Sequence, residues 1–304
     1  MAINTATHPK LLWPGLYDIW HDGMYKQWPE LYSKVFDVKS SDKHYEEIQG
    51  VTSFGLAPQK TQGAALIYDT ENQGYLKRFT HVAYALGTQV TKEENADNLY
   101  SEVGGNRVKM LGRSMQETVE TVAFNHFNRA TNTSYLGADG KELLATDHPN
   151  VNGGTWQNEL TTAADLSETS LEDICILMSK ATNDRGLKAN IKPKTLLVAP
   201  DEMFNAKRII GSDLQNDTAL NAKNILKSEG YFSGGPVVSP YLTDSDAWFV
   251  ITDVENGMTF FWRTRPEMDK DVDFNTKNLL FSSYMRFSSG WVDARGVYGS
   301  TGAA

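Results

Sequence analysis

Histidines are the first residues to consider for chemistry, because imidazole is both a common metal ligand and a common general base. The chain has six of them, at positions 8, 21, 44, 81, 126 and 148. No two stand four residues apart, and no Cys-x-x-Cys pair accompanies them, so the spacing does not indicate a metal site. We predict no metal-binding residues.

Two other features have the composition of catalytic groups. Asp147 stands beside His148, but adjacent residues do not share a face, and the following Pro149-Asn150 predicts a turn. A hydrolase that combines this pair with a serine is therefore the weakest of the functions considered. Cys175, the single cysteine, lies on the apolar face of a predicted helix and lacks the exposed, electropositive setting of a reactive thiolate. We predict no catalytic residues and no enzymatic activity.

Motifs for phosphate or nucleic acid are weak. Gly153-Gly154 and Gly234-Gly235 precede neither Lys-Ser nor Lys-Thr and open no three-glycine fingerprint, so they predict turns and no bound cofactor. The basic pair Lys77-Arg78 is interpreted as a solvated sheet edge rather than a nucleic-acid patch. The net charge of −9 argues against bulk electrostatic binding to nucleic acid or to an anionic membrane.

The composition predicts a folded protein without disulfides or membrane spans. Of the 304 residues, 40% are apolar and 22% charged, which is enough for a packed core. One cysteine cannot form an intrachain disulfide, and no apolar run approaches the roughly 20 residues of a membrane helix. The first residues show no secretory signal. We expect a protein of a reducing interior, or of something assembled there.

The first forty residues predict an extended arm. Pro14, Gly15, Gly23 and Pro29 interrupt any long helix. The segment is nevertheless rich in large apolar side chains, which are Leu11, Leu12, Trp13, Leu16, Tyr17, Ile19, Trp20, Tyr25 and Trp28. The arm must therefore lie on a surface, either of its own domain or of a neighbouring subunit.

A two-stranded ribbon is predicted next. Residues 64–68 and 75–84 have strand composition, and residues 69–74 between them have the composition of a hairpin tip. Because an isolated ribbon is at best marginally stable, we expect it to lean on another surface, which hints at partner subunits.

The strongest helical signal lies between Arg107 and Arg129. Residues on its apolar stripe recur every three or four positions and are Val108, Leu111, Met115, Val119, Val122 and His126. Polar residues, Gln116 and Glu120 among them, are assigned to the other faces. About 23 residues would span roughly 35 Å, so we predict a long spine helix. Gly112 inside it indicates close packing or a bend.

The remainder alternates helices and strands. Ser167 opens a predicted helix with an apolar face of Leu171, Ile174, Cys175, Met178 and Ala181. Asp201 is placed to cap a second helix, and Asn256-Gly257 predicts a hairpin turn. Strands are predicted at 195–199, 236–239, 247–251, 258–262, 279–281 and 290–292.

Short stretches of the chain occur in an order that characterises one protein family. They are 75–79, 85–91, 97–100, 144–149, 158–160 and 197–200, followed by Phe204, Ala206 and Ser212. On these residues the chain resembles the major head subunits of Mu-like tailed bacteriophages, which have the capsid fold of the Hong Kong 97 type. The resemblance runs from about residue 45 to the C-terminus.

The resemblance implies an α+β fold of five parts. They are an N-terminal arm (1–49), an extended β-hairpin loop (50–95), a peripheral domain with the spine helix (96–140), an axial α/β domain (141–264) and a return to the peripheral domain (265–304).

It also implies a major capsid protein that self-assembles into pentamers and hexamers of an icosahedral head around double-stranded DNA. The implied partners are scaffolding, portal and decoration proteins, and the implied location is the virion, assembled in the host bacterial cytoplasm. Weak DNA contacts are expected from scattered groups such as Lys39, Lys43 or Arg107. Lysine–asparagine crosslinks of some relatives cannot be assigned to residues here. The alternative is a nanocompartment shell subunit that encloses protein cargo.

Overall fold

The computed structural model describes residues 13–26, 30–97, 103–214 and 222–303. Its α-helices are α1 (Trp13–His21), α2 (Tyr32–Val35), α3 (Lys92–Ala96), α4 (Val103–Asn128), α5 (Glu168–Lys180), α6 (Met203–Gly211) and α7 (Ile225–Ser228). Its strands are β1 (Asp37–Ser40), β2 (Tyr45–Val51), β3 (Gln73–Thr80), β4 (Val82–Val90), β5 (His148–Pro149), β6 (Thr155–Trp156), β7 (Pro193–Val198), β8 (Pro236–Val238), β9 (Trp248–Thr252), β10 (Met258–Val272), β11 (Leu279–Trp291) and β12 (Val297–Ser300).

The first sheet has the strand order β1-β10-β11-β4. β1 runs parallel to β10, and the other pairs are antiparallel. α4 packs on β11 and β4, and side chains such as Phe260, Met285 and Phe287 join those of α4 in one buried cluster. This sheet and the long helix form the first core.

The second sheet has the order β12-β9-β7-β8. Its central strands are buried on both faces: Leu196 and Val198 pack in a second cluster with α5 and α6, whereas Leu197 and Phe249 face the first. Strands covered on both sides have continuous apolar runs, which is why 195–199 and 247–251 were recognisable from sequence.

The spine helix is confirmed, with one error in its faces. Val108, Leu111, Met115 and Val119 are buried as predicted, but Gln116 and Glu120, assigned to a polar face, are also about 1% exposed. They are buried because α1 and α2 cover a second side of α4. Close packing at Gly112 is confirmed, since an added Cβ would lie 2.5 Å from the carbonyl oxygen of Trp20.

The N-terminal segment lies on its own domain. α1 and the π-helical turn after it, Asp22–Lys26, pack against α4, and Trp20 and Met24 are buried there. Tyr32, Val35 and Phe36 enter the first core. The expectation of an extended arm without an element to bury its side chains is therefore wrong for this part. Leu11, Leu12 and Trp28, and the side chains of Trp13, Leu16 and Tyr25, lie outside the described residues.

The ribbon exists, but the predicted strand pairing is wrong. β3 pairs with β2, not with residues 64–68, which form no strand. Gly74 was assigned to a turn, but it stands inside β3 opposite Gly50, where an added Cβ would lie 2.8 Å from the Gly50 carbonyl carbon. The predicted strand 75–84 is broken at His81, and β4 belongs to the first sheet.

Three local predictions have different outcomes. The helix start at Ser167 is confirmed, with reciprocal hydrogen bonds between Ser167 and Ser170. Asp201 does not cap α6, because Glu202 is the residue that precedes the helix. The side chain of Glu202 makes no capping hydrogen bond. Asn256 does turn the chain, with φ of 57°, but β9 and β10 lie in different sheets, so the turn is not a hairpin.

Candidate assembly surface

The chain between β2 and β3, residues 52–72, forms an exposed apolar loop. It has no helix or strand. Its large apolar side chains point to solvent, with Tyr68 88% and Leu56 83% exposed and Phe54, Leu66 and Ile67 between 56% and 74%. Such a concentration of exposed apolar side chains is typical of interaction surfaces.

Both ends of this loop are fixed to the rest of the chain. The Asp69 carboxylate accepts hydrogen bonds from the amides of Gly55 and Thr70, and these bonds hold its pKa below the usual value. Arg185, on the turn after α5, donates to the carbonyls of Ser53 and Thr70. The two ends of the loop therefore have defined positions beside the turn that carries Arg185.

The stem of the ribbon, formed by β2 and β3, packs against the rest of its own chain. Tyr75 Oη donates to the carbonyl of Pro149 at 3.3 Å. Lys77 Nζ donates to the carbonyl of Leu136 at 3.1 Å and stands over the Trp291 ring, and burial lowers its pKa. The interpretation of Lys77 as a solvated edge residue is wrong. It holds for Arg78, which is exposed and pairs with Glu47 on the neighbouring strand.

The root of the ribbon is fixed by His81, between β3 and β4. Its Nε2 lies 3.1 Å from Ser41 Oγ and its Nδ1 2.9 Å from Ser288 Oγ. Ser41 Oγ itself donates to Glu46 Oε1. Burial, followed by the charge of Arg286, lowers the pKa of His81. The neutral ring therefore bridges the start of the ribbon to β11.

A buried carboxylate holds the N-terminal segment on the spine helix. Glu120 accepts hydrogen bonds from the amides of Leu31 at 2.8 Å and Tyr32 at 3.0 Å, and from Gln116 Nε2 at 3.1 Å. Burial raises its pKa to about 7 despite these bonds. This contact fixes the start of α2 on the spine helix.

The Asp147–His148 pair is not formed. Asp147 pairs with Lys141 at the surface. His148 is fully buried, with Nδ1 2.6 Å from Asp139 Oδ2 and Nε2 3.1 Å from Asn158 Oδ1, and its ring stacks on Trp156. Both ring nitrogens are therefore used in structural contacts.

The remaining candidates are structural. Cys175 faces the second core as predicted, and burial raises its pKa to about 11. His126 Nε2 lies 2.9 Å from Ser289 Oγ, and burial lowers the pKa of the ring to about 4. Turns are confirmed at Gly153-Gly154 and Gly234-Gly235, where three of the four glycines have positive φ. His8 lies outside the described residues.

The three basic groups named for DNA contact are engaged within the chain. Lys39 is 3.4 Å from Asp37 and donates to Asn256, Lys43 pairs with Glu46, and Arg107 pairs with Glu94. Within the described ranges, no group of three or more His, Cys, Asp or Glu residues could hold a metal ion. None of the helices described is long and apolar enough to cross a membrane.

The fold has clear structural relatives. The virus-like particle from Pyrococcus furiosus matches with a TM-score of 0.60 at 9% identity, over 95% of this chain and 98% of that chain. The capsid of the native GTA particle matches with 0.58 at 13% identity, over 90% of each chain. The procapsid of bacteriophage JBD30 matches with 0.51 at 14% identity, over 99% of this chain and 77% of that chain. At such identities the likeness shows the fold.

The spine helix, the two sheets and the ribbon with its exposed loop are thus arranged as in these capsid structures, which is the Hong Kong 97-type fold. A family model described as phage capsid protein matches residues 76–300. The chain belongs to this phage capsid protein family. No curated protein sequence matches it. The finer assignment to Mu-like phages stays a prediction.

Proposed function

We propose that this chain is the major capsid subunit that self-assembles into pentamers and hexamers, and that these close into an icosahedral head around double-stranded DNA. The observation that carries the proposal is the exposed apolar loop 52–72 on a member of the phage capsid family. A monomer that leaves Tyr68 and Leu56 in water gains by burying them on assembly.

The proposed division of labour follows the five parts. Residues 1–49 form the arm, 50–95 the extended loop, 96–140 the peripheral domain with the spine helix, 141–264 the axial domain, and 265–304 the return. The second sheet supports the axial part, because β7, β8 and β9 lie within 141–264, although β12 of the return pairs with β9. The first sheet joins strands of several parts, and its β10 crosses the boundary at 264. The loop, carried by the ribbon, would lie across a neighbouring subunit.

The remaining parts of the proposal concern partners and place. Scaffolding, portal and decoration proteins would bind the shell, which would assemble in the host bacterial cytoplasm and become part of the virion. The chain would be structural and not an enzyme. The engaged state of Lys39, Lys43 and Arg107 supports weak contact with packaged DNA rather than tight binding.

The test is assembly of the purified chain, alone and with its scaffolding protein. Sedimentation and electron microscopy should reveal rings and closed shells. A stable, monodisperse monomer under crowding and with scaffolding would contradict the proposal. Shells that contain protein cargo instead of a phage genome when isolated from their natural source would favour a nanocompartment.

A further inference from the structure

One segment of the exposed loop has strand composition but no strand partner. Residues 64–68, with the sequence Ala-Ala-Leu-Ile-Tyr, combine an apolar character with β-branched and aromatic residues. In the described part of the chain, residues 65–68 make no backbone hydrogen bond, and Leu66, Ile67 and Tyr68 are 65% to 88% exposed. The segment therefore carries free donors and acceptors beside free apolar side chains.

The first sheet has one edge that lacks the usual protection. β4 pairs with β11 on one side, and no described strand pairs with its other side. Its nine residues contain no charge and no proline, and six of them, including Val82 and Leu86, are exposed. Exposed, uncharged edge strands readily accept a further strand.

The opposite edge of the same sheet is built differently. β1 covers β10 only as far as Trp262, so residues 263–272 form the edge beyond it. This part of β10 carries many charges and a proline, which are Arg263, Arg265, Pro266, Glu267, Asp269, Lys270 and Asp271. Charges and proline on an edge prevent strand addition. One edge of the sheet is thus blocked, whereas the β4 edge receives no strand from the described residues, although Arg107 donates to the carbonyl of Gln89 near its end.

We propose that residues 64–68 of one copy add as a strand to the open edge of β4 in a second copy. The inference rests on the proposed function, because it requires copies of this chain to meet in a shell. Strand addition would satisfy the free backbone groups of both segments and cover Val82 and Leu86, as in other cases of β-augmentation.

A second copy is the occupant because the chain's own segment is held elsewhere. Asp69, the next residue, is bound to Gly55 and Arg185, and Asn72 is bound to Asn152. From there β3 runs for eight residues, about 26 Å at a strand's rise, before β4 begins. In the structure the two segments accordingly remain apart and unpaired.

The first experiment blocks the open edge. Leu86→Lys places a charge on β4, and Asp271→Lys, on the edge that is already charged, is the matched control. We expect both variants to melt like the unaltered chain, and Leu86→Lys to lower shell yield at least tenfold while the control assembles normally. Normal assembly of Leu86→Lys would contradict strand addition and leave the proposed function intact. Failure of the unaltered chain to assemble would overturn both.

The second experiment maps the contact by disulfide formation. The natural thiol, Cys175, is buried, so introduced cysteines report without interference. Shells assembled from a mixture of Leu86→Cys with Leu66→Cys or Ile67→Cys subunits should form crosslinked dimers on mild oxidation. Leu56→Cys, at a more exposed position outside the segment, should not crosslink with Leu86→Cys. Crosslinking through Leu56 instead, or through none of the loop positions, would show that another segment occupies the edge.

Discussion

Glu120 is a buried residue whose charge state affects the stability of the described structure. It is buried on the spine helix and receives three hydrogen bonds, two of them from the N-terminal segment. Burial raises its pKa from 4.5 to about 7, so the folded state favours the protonated carboxyl. The stabilisation is fully present below about pH 4.5 and is lost as the pH rises through about 7.

We therefore predict that Glu120→Gln removes a pH dependence. The difference between the two pKa values corresponds to roughly 3 kcal/mol of unfolding free energy. Unfolding free energies are measured with urea at pH 5.5 and at pH 8. From the lower to the higher pH, the unaltered chain should lose most of this amount relative to Glu120→Gln. Glu117→Gln, on the exposed part of the same helix, should retain the dependence. Equal pH profiles for the unaltered chain and Glu120→Gln would contradict the assignment.

Asn158 is the second residue with an individual role. Its Nδ2 donates to the carbonyls of Leu143, Ala294 and Val297, and its Oδ1 accepts from the Ala145 amide. Asn158→Asp would place an oxygen against three carbonyl oxygens in a fully buried site. We predict a loss of at least about 3 kcal/mol of unfolding free energy, measured by denaturant melts.

Asn106→Asp, at an exposed position of α4, is the control and should change the stability by no more than about 0.5 kcal/mol. If Asn158→Asp were as stable as this control, the hydrogen-bond assignment of the amide would be wrong.

These residues show that the sequence alone did not predict side-chain partners. Asp147 stands next to His148, yet the partner is Asp139, nine positions away on a different turn. Glu120 was assigned to a polar face because it is a charged residue between the positions of the apolar stripe, whereas its environment is set by Leu31 and Tyr32, almost ninety positions earlier. Side-chain partners of this kind follow from the fold and leave no local pattern.

At the scale of elements, the spine helix carries the clearest prediction. Met115→Asp or Val119→Asp places an unpaired charge in the first core and should unfold the subunit, at a cost of several kcal/mol. Gln116→Asp should also destabilise it, because a second carboxylate would lie beside buried Glu120. Thr121→Asp, on the exposed face, should be mild. Thermal melts that rank Gln116→Asp with Thr121→Asp would contradict the buried second face.

The exposed loop predicts the opposite behaviour, loss of assembly without loss of folding. Replacing residues 56–67 by a short Gly-Ser linker removes solvent-exposed apolar side chains. It keeps the hydrogen bond from the Gly55 amide to Asp69. The melting temperature of the monomer should be unchanged, and shells should be absent by sedimentation. The control replaces only polar residues 59–62 of the same loop and should assemble. Unfolding of the first variant would instead place the loop in its own core.

The helices α4 and α5 were predictable here where strand partners were not. The apolar stripe from Val108 to Val119 repeats within a single helix, and the Ser167 cap involves residues of a single turn. Both signals are therefore local in the sequence. β3 had strand composition, but its pairing with β2 depends on the close contact between Gly50 and Gly74. It also depends on the hydrogen bonds of Tyr75 and Lys77 to distant parts of the chain. Pairing depends on such distant contacts, so the sequence favoured the nearer segment 64–68.

For the whole molecule, charge determines how the shell would relate to its genome. The chain carries −9, and the named basic groups are paired with acids of the same chain. Binding that neutralises many phosphates needs a surplus of Lys and Arg. These three groups therefore have little free charge to offer to DNA.

We accordingly predict that shells form without DNA and hold it by containment. The chain, expressed with its scaffolding protein but without packaging machinery and treated with nuclease, should give shells in normal yield whose absorbance ratio is that of protein alone. Any contact with duplex DNA should be weak and should fade as salt is raised, because scattered charges are screened within about 8 Å at physiological ionic strength. A variant that removes the positive charge of a lysine, such as Lys92→Gln, should assemble as well as the unaltered chain. Shells that appear only with nucleic acid, or nanomolar binding of duplex DNA at physiological salt, would require a concentrated basic surface and would contradict the prediction.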